Sequence, residues 1–167
     1  LRVVPNGGAF AAEWSGGDIE EIFNLRALLE SHAAEHAART PDPRGLAALR
    51  AACEAAEAAI PAADHAAVEA ISDANVRFHR TLWEMGGQAR CRAILEGLAV
   101  PPMILRNFRN FDGAGLRRSL DQHREMIAAI TARDPLWAGA VMRAHVQAGK
   151  AVFLAATTGR GEGRQAA

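Results

Sequence analysis

Aromatic side chains are scarce in this sequence, at 5% of 167 residues, and cysteine occurs twice. Sheets favour aromatic and β-branched residues, whereas the abundant alanine of this chain favours closely packed helices. Cys53 and Cys91 lie far apart and form no Cys-x-x-Cys spacing. We therefore expect a helical, intracellular protein whose two thiols are reduced.

Net charge and long apolar runs are also missing. The 19 basic and 19 acidic residues cancel to a formal net charge of 0, so no basic surplus predicts nucleic-acid binding by this chain. The sequence shows no signal peptide and no apolar run long enough to cross a membrane. We therefore expect a cytoplasmic protein with no membrane partner.

Several catalytic motifs are absent. The sequence contains neither the His-Glu-x-x-His pattern of zinc proteases nor the Glu-x-x-His pattern of di-iron bundles. It also lacks Gly-x-Ser-x-Gly and a phosphate-binding glycine loop. We predict that the protein is not an enzyme, and we keep a small metal-dependent hydrolase on a helical bundle as an alternative.

Helical periodicity, interrupted by proline and glycine, covers most of the chain. The predicted helices span residues 18–39, 43–60, 64–85, a segment from 89 that is broken at Pro101-Pro102, 114–133 and 135–157. This pattern predicts an all-α, antiparallel bundle of six to seven helices. We expect residues 1–14 to be a short extended remnant, 15–158 the helical domain and 159–167 a disordered tail.

Two polar side chains share the apolar stripe of the third predicted helix. Asn75 and His79 point in the same direction as Ile71, Phe78 and Leu82 when successive residues are rotated by about 100°. The two stand one helical turn apart, so both can reach one small object. A buried polar side chain needs a partner, which must then come from another element or from a ligand.

His123 and His145 lie on the apolar stripes of the fifth and sixth predicted helices. Neutral imidazole is the commonest metal ligand and suits zinc, nickel, copper or iron. Three imidazoles leave open positions on a divalent ion, and Asn75 can add a carbonyl oxygen. The alternative is a metal-free structural dimerisation bundle in which His79, His123 and His145 are core residues bonded to protein groups.

Arg26 and Glu30 lie on the apolar stripe of the first predicted helix. They can pair with each other, although arginine before glutamate is the weaker order for such a pair. Alternatively, the Arg26 guanidinium binds a ligand carboxylate through two nitrogens. Arg106 is a second candidate for that role. We therefore take Arg26, Glu30 and Arg106 as candidate ligand-binding residues.

Four regions of the chain, in this order, resemble a known family. They are Val3–Phe10, Ile19–Glu30, Asn75–Leu82, and His123–Ile130 together with Met142–His145. The set resembles the C-terminal ligand-binding (FCD) domain of FadR-type transcription regulators in the GntR superfamily. The first region is similar to the end of the wing of a winged helix-turn-helix domain, and the second to the opening helix of the ligand domain. The others are similar to the metal-ligand helices.

The resemblance implies a homodimer that senses a small carboxylate effector. It also implies a divalent metal, zinc or nickel, held by an aspartate and three histidines. The matching positions are Asn75, His79, His123 and His145. Asparagine therefore replaces the aspartate, and Asp73 lies on roughly the opposite face of the helix.

The resemblance finally implies that the effector controls DNA binding by an attached winged helix. The chain includes only the end of the wing and no recognition helix. We therefore expect DNA contact only through the missing N-terminal domain, with residues 1–14 as the remnant of its wing and linker.

Overall fold

The computed structural model describes residues 2–4, 8–10, 16–62, 64–98 and 108–165. Within these ranges the chain forms six α-helices, and a 3-10 turn (Ile60–Ala62) follows the second. The helices are α1 (Gly16–Arg39), α2 (Pro43–Ala59), α3 (His65–Met85), α4 (Ala89–Leu98), α5 (Gly113–Thr131) and α6 (Pro135–Gln165). Two short strands, β1 (Arg2–Val4) and β2 (Gly8–Phe10), pair antiparallel. The all-α helical bundle predicted from the sequence is confirmed.

Three helices begin at an aspartate that caps the free backbone N–H groups of the first turn. The carboxylates of Asp42, Asp64 and Asp112 each accept a hydrogen bond from the backbone N–H three residues ahead, at 2.7 to 2.8 Å. Such caps satisfy donors that have no partner inside the helix. Asp42 is followed by Pro43, which suits the first helical position.

The end of the chain differs from the prediction. Helix α6 continues to Gln165, so residues 159–165 are helical where the sequence predicted a disordered tail. The physical reason is that no proline interrupts this segment, and each helical glycine costs only about 1 kcal/mol relative to alanine. The predicted break at Pro101-Pro102 and the segment containing Arg106 lie outside the described residues.

The core lies where α1 packs against α6 and α2 packs against α3. Its largest fully buried side chains include Phe78, Leu82 and Met142, but also the carboxylic residue Glu30. A carboxyl group in such a core requires charged or hydrogen-bonding partners. Among the described helices, none combines the length and apolar character needed to cross a membrane.

Helix α3 ends where it meets α1. A Cβ atom on Gly86 would lie 2.9 Å from the backbone oxygen of Ala33, so glycine allows the two backbones to approach closely. Gly87 follows with φ of 66°, a left-handed conformation that glycine adopts without strain. This pair explains why the third helix ends at the predicted position.

We predict that Gly86→Ala lowers the free energy of unfolding by about 1–3 kcal/mol, because the added methyl group overpacks the contact with α1. The matched control is Gly97→Ala in α4, where an added Cβ meets no atom within 4 Å. That variant should be more stable than the wild type by about 0.5–1 kcal/mol. Urea denaturation measures both values. A Gly86→Ala protein at least as stable as Gly97→Ala would contradict the close approach.

Candidate metal centre

Three histidines from three helices converge on one point in the bundle. His79 comes from α3, His123 from α5 and His145 from α6, and one nitrogen of each lies within 4.8 Å of the others. Their ring centroids are 4.5 to 5.4 Å apart. His79 and His123 are buried. The structure thus brings together the three histidines that the sequence placed on inward stripes.

The orientation of His79 is set by Glu30. His79 Nδ1 makes a hydrogen bond with Glu30 Oε2. The same oxygen accepts a hydrogen bond from Trp83 Nε1 at 3.2 Å, and Oε1 accepts one from Arg26 Nε at 2.8 Å. An ionised carboxylate can only accept hydrogen bonds, so His79 Nδ1 carries a proton. In the neutral ring, Nε2 then has a free lone pair.

Glu30 is held in its ionised form despite its burial. Burial favours the neutral acid, but the opposite charge of Arg26 and the contact with His79 outweigh it and hold the pKa well below its usual range. These groups supply both the charge and the hydrogen bonds that a buried carboxylate needs. The Arg26–Glu30 pair considered from the sequence therefore exists.

His145 faces His79 through its other nitrogen. His145 Nδ1 lies 3.3 Å from the amide oxygen of Gln122, and its Nε2 lies 3.2 Å from Nε2 of His79. The pKa of His145 is lowered to about 3, mainly by burial and next by the nearby His79. Its ring is therefore neutral near pH 7. Because the amide oxygen is an acceptor, Nδ1 holds the proton and Nε2 of His145 has a free lone pair.

His123 brings a third imidazole to the cluster. Its ring stacks on Phe78, with centroids 3.9 Å apart and an angle of 14° between the planes. Among the described residues, its buried Nε2 makes no hydrogen bond. Burial is the main cause that lowers the pKa of His123 well below its ordinary value. The charges that the neighbouring histidines acquire on protonation lower this pKa further. A buried polar atom without a partner is costly, and one nitrogen of this ring lies within 4.8 Å of a nitrogen of each of the other two imidazoles.

The three nitrogens fit a divalent metal ion. A metal ligand must be a neutral imidazole with a free lone pair. The contact with Glu30 directs Nδ1 of His79 away from the cluster, and burial keeps the ring of His145 neutral. Within the described ranges, the buried Nε2 of His123 lacks the partner that a core histidine normally has. Asn75 is buried one helical turn before His79 and lines the same cavity as His79 and His145.

This cavity is a cleft between α1, α3, α5 and α6, with a volume of about 40 Å³. Two guanidinium groups, from Arg26 and Arg118, line it, and Phe108 and Phe111 stack on each other at a centroid distance of 5.4 Å. Cationic, aromatic and imidazole groups therefore surround one small space. Such a combination suits a small anionic molecule with an apolar part.

The candidate ligand residues lie in different places. Arg26 lines the cleft, whereas Glu30 is fully buried behind His79 and is not among the lining residues. Arg106 lies outside the described residues. Sequence reasoning missed Trp83, Gln122 and Arg118. Trp83 follows His79 by four residues, so the stripe that identified Asn75 and His79 also contained it. No comparable signal singled out Arg118 or Gln122.

The chain is similar to known proteins in both sequence and structure. A family model described as the FCD domain matches residues 21–148. The structure is similar to McbR/YncC of E. coli, with a TM-score of 0.77 and 22% identity, over 90% of this chain and 75% of that one. At this identity the likeness shows a shared fold.

A second solved structure is similar over a smaller share of its length. GntR of Streptococcus agalactiae has a TM-score of 0.60 and 26% identity, over 79% of this chain and 57% of that one. The chain thus spans little more than half of that relative. No curated protein matches the sequence.

We predict that the metal-free protein loses stability as the pH falls from 6.5 to 5. The unfolded chain binds a proton at His145 below pH 6.5, whereas the folded state stays neutral there until about pH 3. Each pH unit below 6.5 therefore lowers the free energy of unfolding by up to about 1.4 kcal/mol for each such histidine. Above pH 6.5 the contribution of the histidine to this free energy does not change with pH. Melting temperature with chelator present measures the effect. His145→Asn should flatten the slope, and a melting temperature of the wild type that does not change with pH in this window would contradict the burial argument.

Proposed function

The chain belongs to the FCD domain family, the effector-binding domain of GntR-type transcription regulators, and we propose that it senses a small carboxylate at a divalent metal ion. The family comprises regulators and not enzymes, so a hydrolase is not proposed. The proposed metal ligands are those suggested by the sequence: Asn75, His79, His123 and His145.

The observation that carries the metal proposal is the convergence of three imidazoles, with one nitrogen of each within 4.8 Å of the others. Nε2 of His79 and Nε2 of His145 lie 3.2 Å apart, while the opposite nitrogen of each ring faces an acceptor oxygen. Two lone pairs at this distance repel each other unless a proton or a metal ion binds to them. Imidazole suits zinc and nickel, and either ion would offer open coordination positions to a carboxylate.

The competing interpretation is the metal-free structural bundle. In it, His79 carries a second proton and donates hydrogen bonds to both Glu30 and His145. That arrangement accounts for His79 and His145, but it leaves His123 Nε2 buried and without a partner in the described part of the chain. The metal accounts for all three nitrogens, and it is therefore the interpretation we adopt.

The cleft supports a small carboxylate as the effector. Guanidinium groups bind carboxylates through two parallel hydrogen bonds, and both Arg26 and Arg118 line the space in front of His79 and His145. A volume of 40 Å³ corresponds to about three water molecules, since one water needs about 10–15 Å³ on this measure. This volume favours a small carboxylate over a long-chain one.

We further propose the domain organisation suggested by the sequence. Residues 1–14 are the remnant of a wing and linker, and residues 15–158 form the sensing and dimerisation domain. The helical continuation to Gln165 extends the last element of that domain. DNA is bound through a winged-helix domain of the regulator, and the effector changes how a homodimer places those domains.

We predict that the wild type takes up one zinc or nickel ion and that chelator lowers its melting temperature. A ligand that binds only the folded state at 100 times its Kd stabilises by about 2.7 kcal/mol. His123→Ala should lose most of the metal, and Asn75→Asp should bind it more tightly because a carboxylate replaces an amide oxygen. The matched control is His65→Ala, which removes a histidine with an exposed side chain. Elemental analysis measures the metal content, and melting curves measure the stability. If the wild type holds no metal after incubation with zinc or nickel, and chelator does not change its melting temperature, the three histidines are ordinary core residues.

We predict that small carboxylates raise the melting temperature of the zinc-loaded protein and that Arg118→Ala removes this shift. A hydrogen bond to a charged group contributes about 1.5–3 kcal/mol, so affinity should fall at least tenfold. The control is Arg117→Ala, an exposed neighbour on the same helix that does not line the cleft. A titration series from formate to succinate provides the measurement, and equal shifts in the two variants would show that the carboxylate binds elsewhere.

A further inference from the structure

The carboxylate of Glu30 has a defined hydrogen-bond partner for each oxygen. Oε1 accepts from Arg26, which lies on α1 like Glu30 itself. Oε2 accepts from Trp83 and His79, which lie one turn apart on α3. Glu30 is fully buried, so no water-exposed alternative competes with these partners. The carboxylate is thereby fixed in one orientation, and the ring of His79 with it.

We propose that Glu30 is the positioning residue of the metal centre, which fixes the Nδ1–H tautomer of His79 and turns Nε2 toward His123 and His145. This inference rests on the proposed function, because it concerns the ligands of that metal. A carboxylate that accepts the second ring proton of a metal-bound histidine orients the ring and makes it a stronger ligand. Glu30 thus acts through His79 and does not contact the effector.

Arg26 and Trp83 complete this arrangement. Without Arg26, Glu30 would be a buried and partly uncompensated charge, and the hydrogen bond to His79 would be its main compensation. Trp83 donates to the oxygen that also faces His79, which prevents the carboxylate from rotating about its terminal bond. Because Arg26 also lines the cleft, one side chain contacts both the effector space and the group that orients a metal ligand.

Glutamine at position 30 tests the proposal because it keeps the size of the side chain. Its amide has one acceptor oxygen where the carboxylate has two, so Arg26 and His79 must compete for it. The zinc Kd of the Glu30→Gln protein should rise about 10- to 100-fold, the usual result of losing such an outer partner. The matched control is Glu35→Gln on the same helix, whose carboxylate pairs with Arg39 at 3.7 Å. Its zinc affinity should not change.

A second variant guards against misfolding caused by the unpaired Arg26. The double substitution Arg26→Met with Glu30→Gln removes both buried charges, and its melting temperature in the metal-free state shows whether it folds. Competition with a chromophoric chelator gives zinc affinities for all four proteins. Cobalt loading adds a signal that stability alone does not alter, since the visible absorption of bound Co²⁺ should shift in both Glu30 variants at saturation.

The outcomes separate the two proposals. A wild type that binds zinc, with folded Glu30 variants that bind it equally well and show the same cobalt spectrum, overturns the role of Glu30 alone. A wild type that binds no zinc overturns the proposed function, and this inference with it. If both Glu30 variants unfold, the tautomer of His79 in the wild type still tests the proposal. ¹⁵N-labelled histidine in the zinc-bound protein must show His79 protonated at Nδ1 and bound through Nε2, and the reverse assignment overturns the proposal.

Discussion

The buried carboxylate of Glu30 constrains the middle of this bundle. Removing a carboxylate from water costs several kcal/mol even after relaxation, and Glu30 is fully buried between α1 and α3. The fold meets that cost with a guanidinium, an indole N–H and an imidazole N–H. Each donor must arrive from a fixed direction. The relative position of α1 and α3 is therefore set by electrostatics as well as by apolar packing, which is not directional.

The histidine cluster depends on this constraint. With His79 Nδ1 directed at Glu30, its Nε2 is directed at His145, while Phe78 stacks on the ring of His123 and limits its rotation. The three nitrogens are thus brought together by contacts that do not involve a metal. Under the proposed function, most of the ordering is complete before the ion binds, and preorganisation of this kind favours affinity.

The sequence predicted the helices well because their signals are local. Periodic apolar stripes placed His79, His123 and His145 on inward faces, and breaks such as Gly86-Gly87 marked the helix ends. The partners of these residues were harder to predict. Glu30 contacts His79 across 49 positions, and no periodicity encodes how two helices are rotated against each other. The positions of Arg118 and Gln122 at the site also depend on that rotation, so the sequence did not predict them. The tail after residue 158 was misjudged because its glycines and polar residues resemble a flexible segment, yet the helix passes through them.

Trp83 gives the centre an optical property. Its indole is buried, donates to Glu30, and lies edge-on to His79 with ring centroids 6.4 Å apart. Indole emission responds to nearby charge and to the polarity around its N–H group. The other tryptophan in the described residues, Trp137, is partly exposed and bonded to Glu125, so the two emit from different surroundings. The protein thus carries an intrinsic fluorophore in contact with the carboxylate at its core, and events at His79 become visible without any added label.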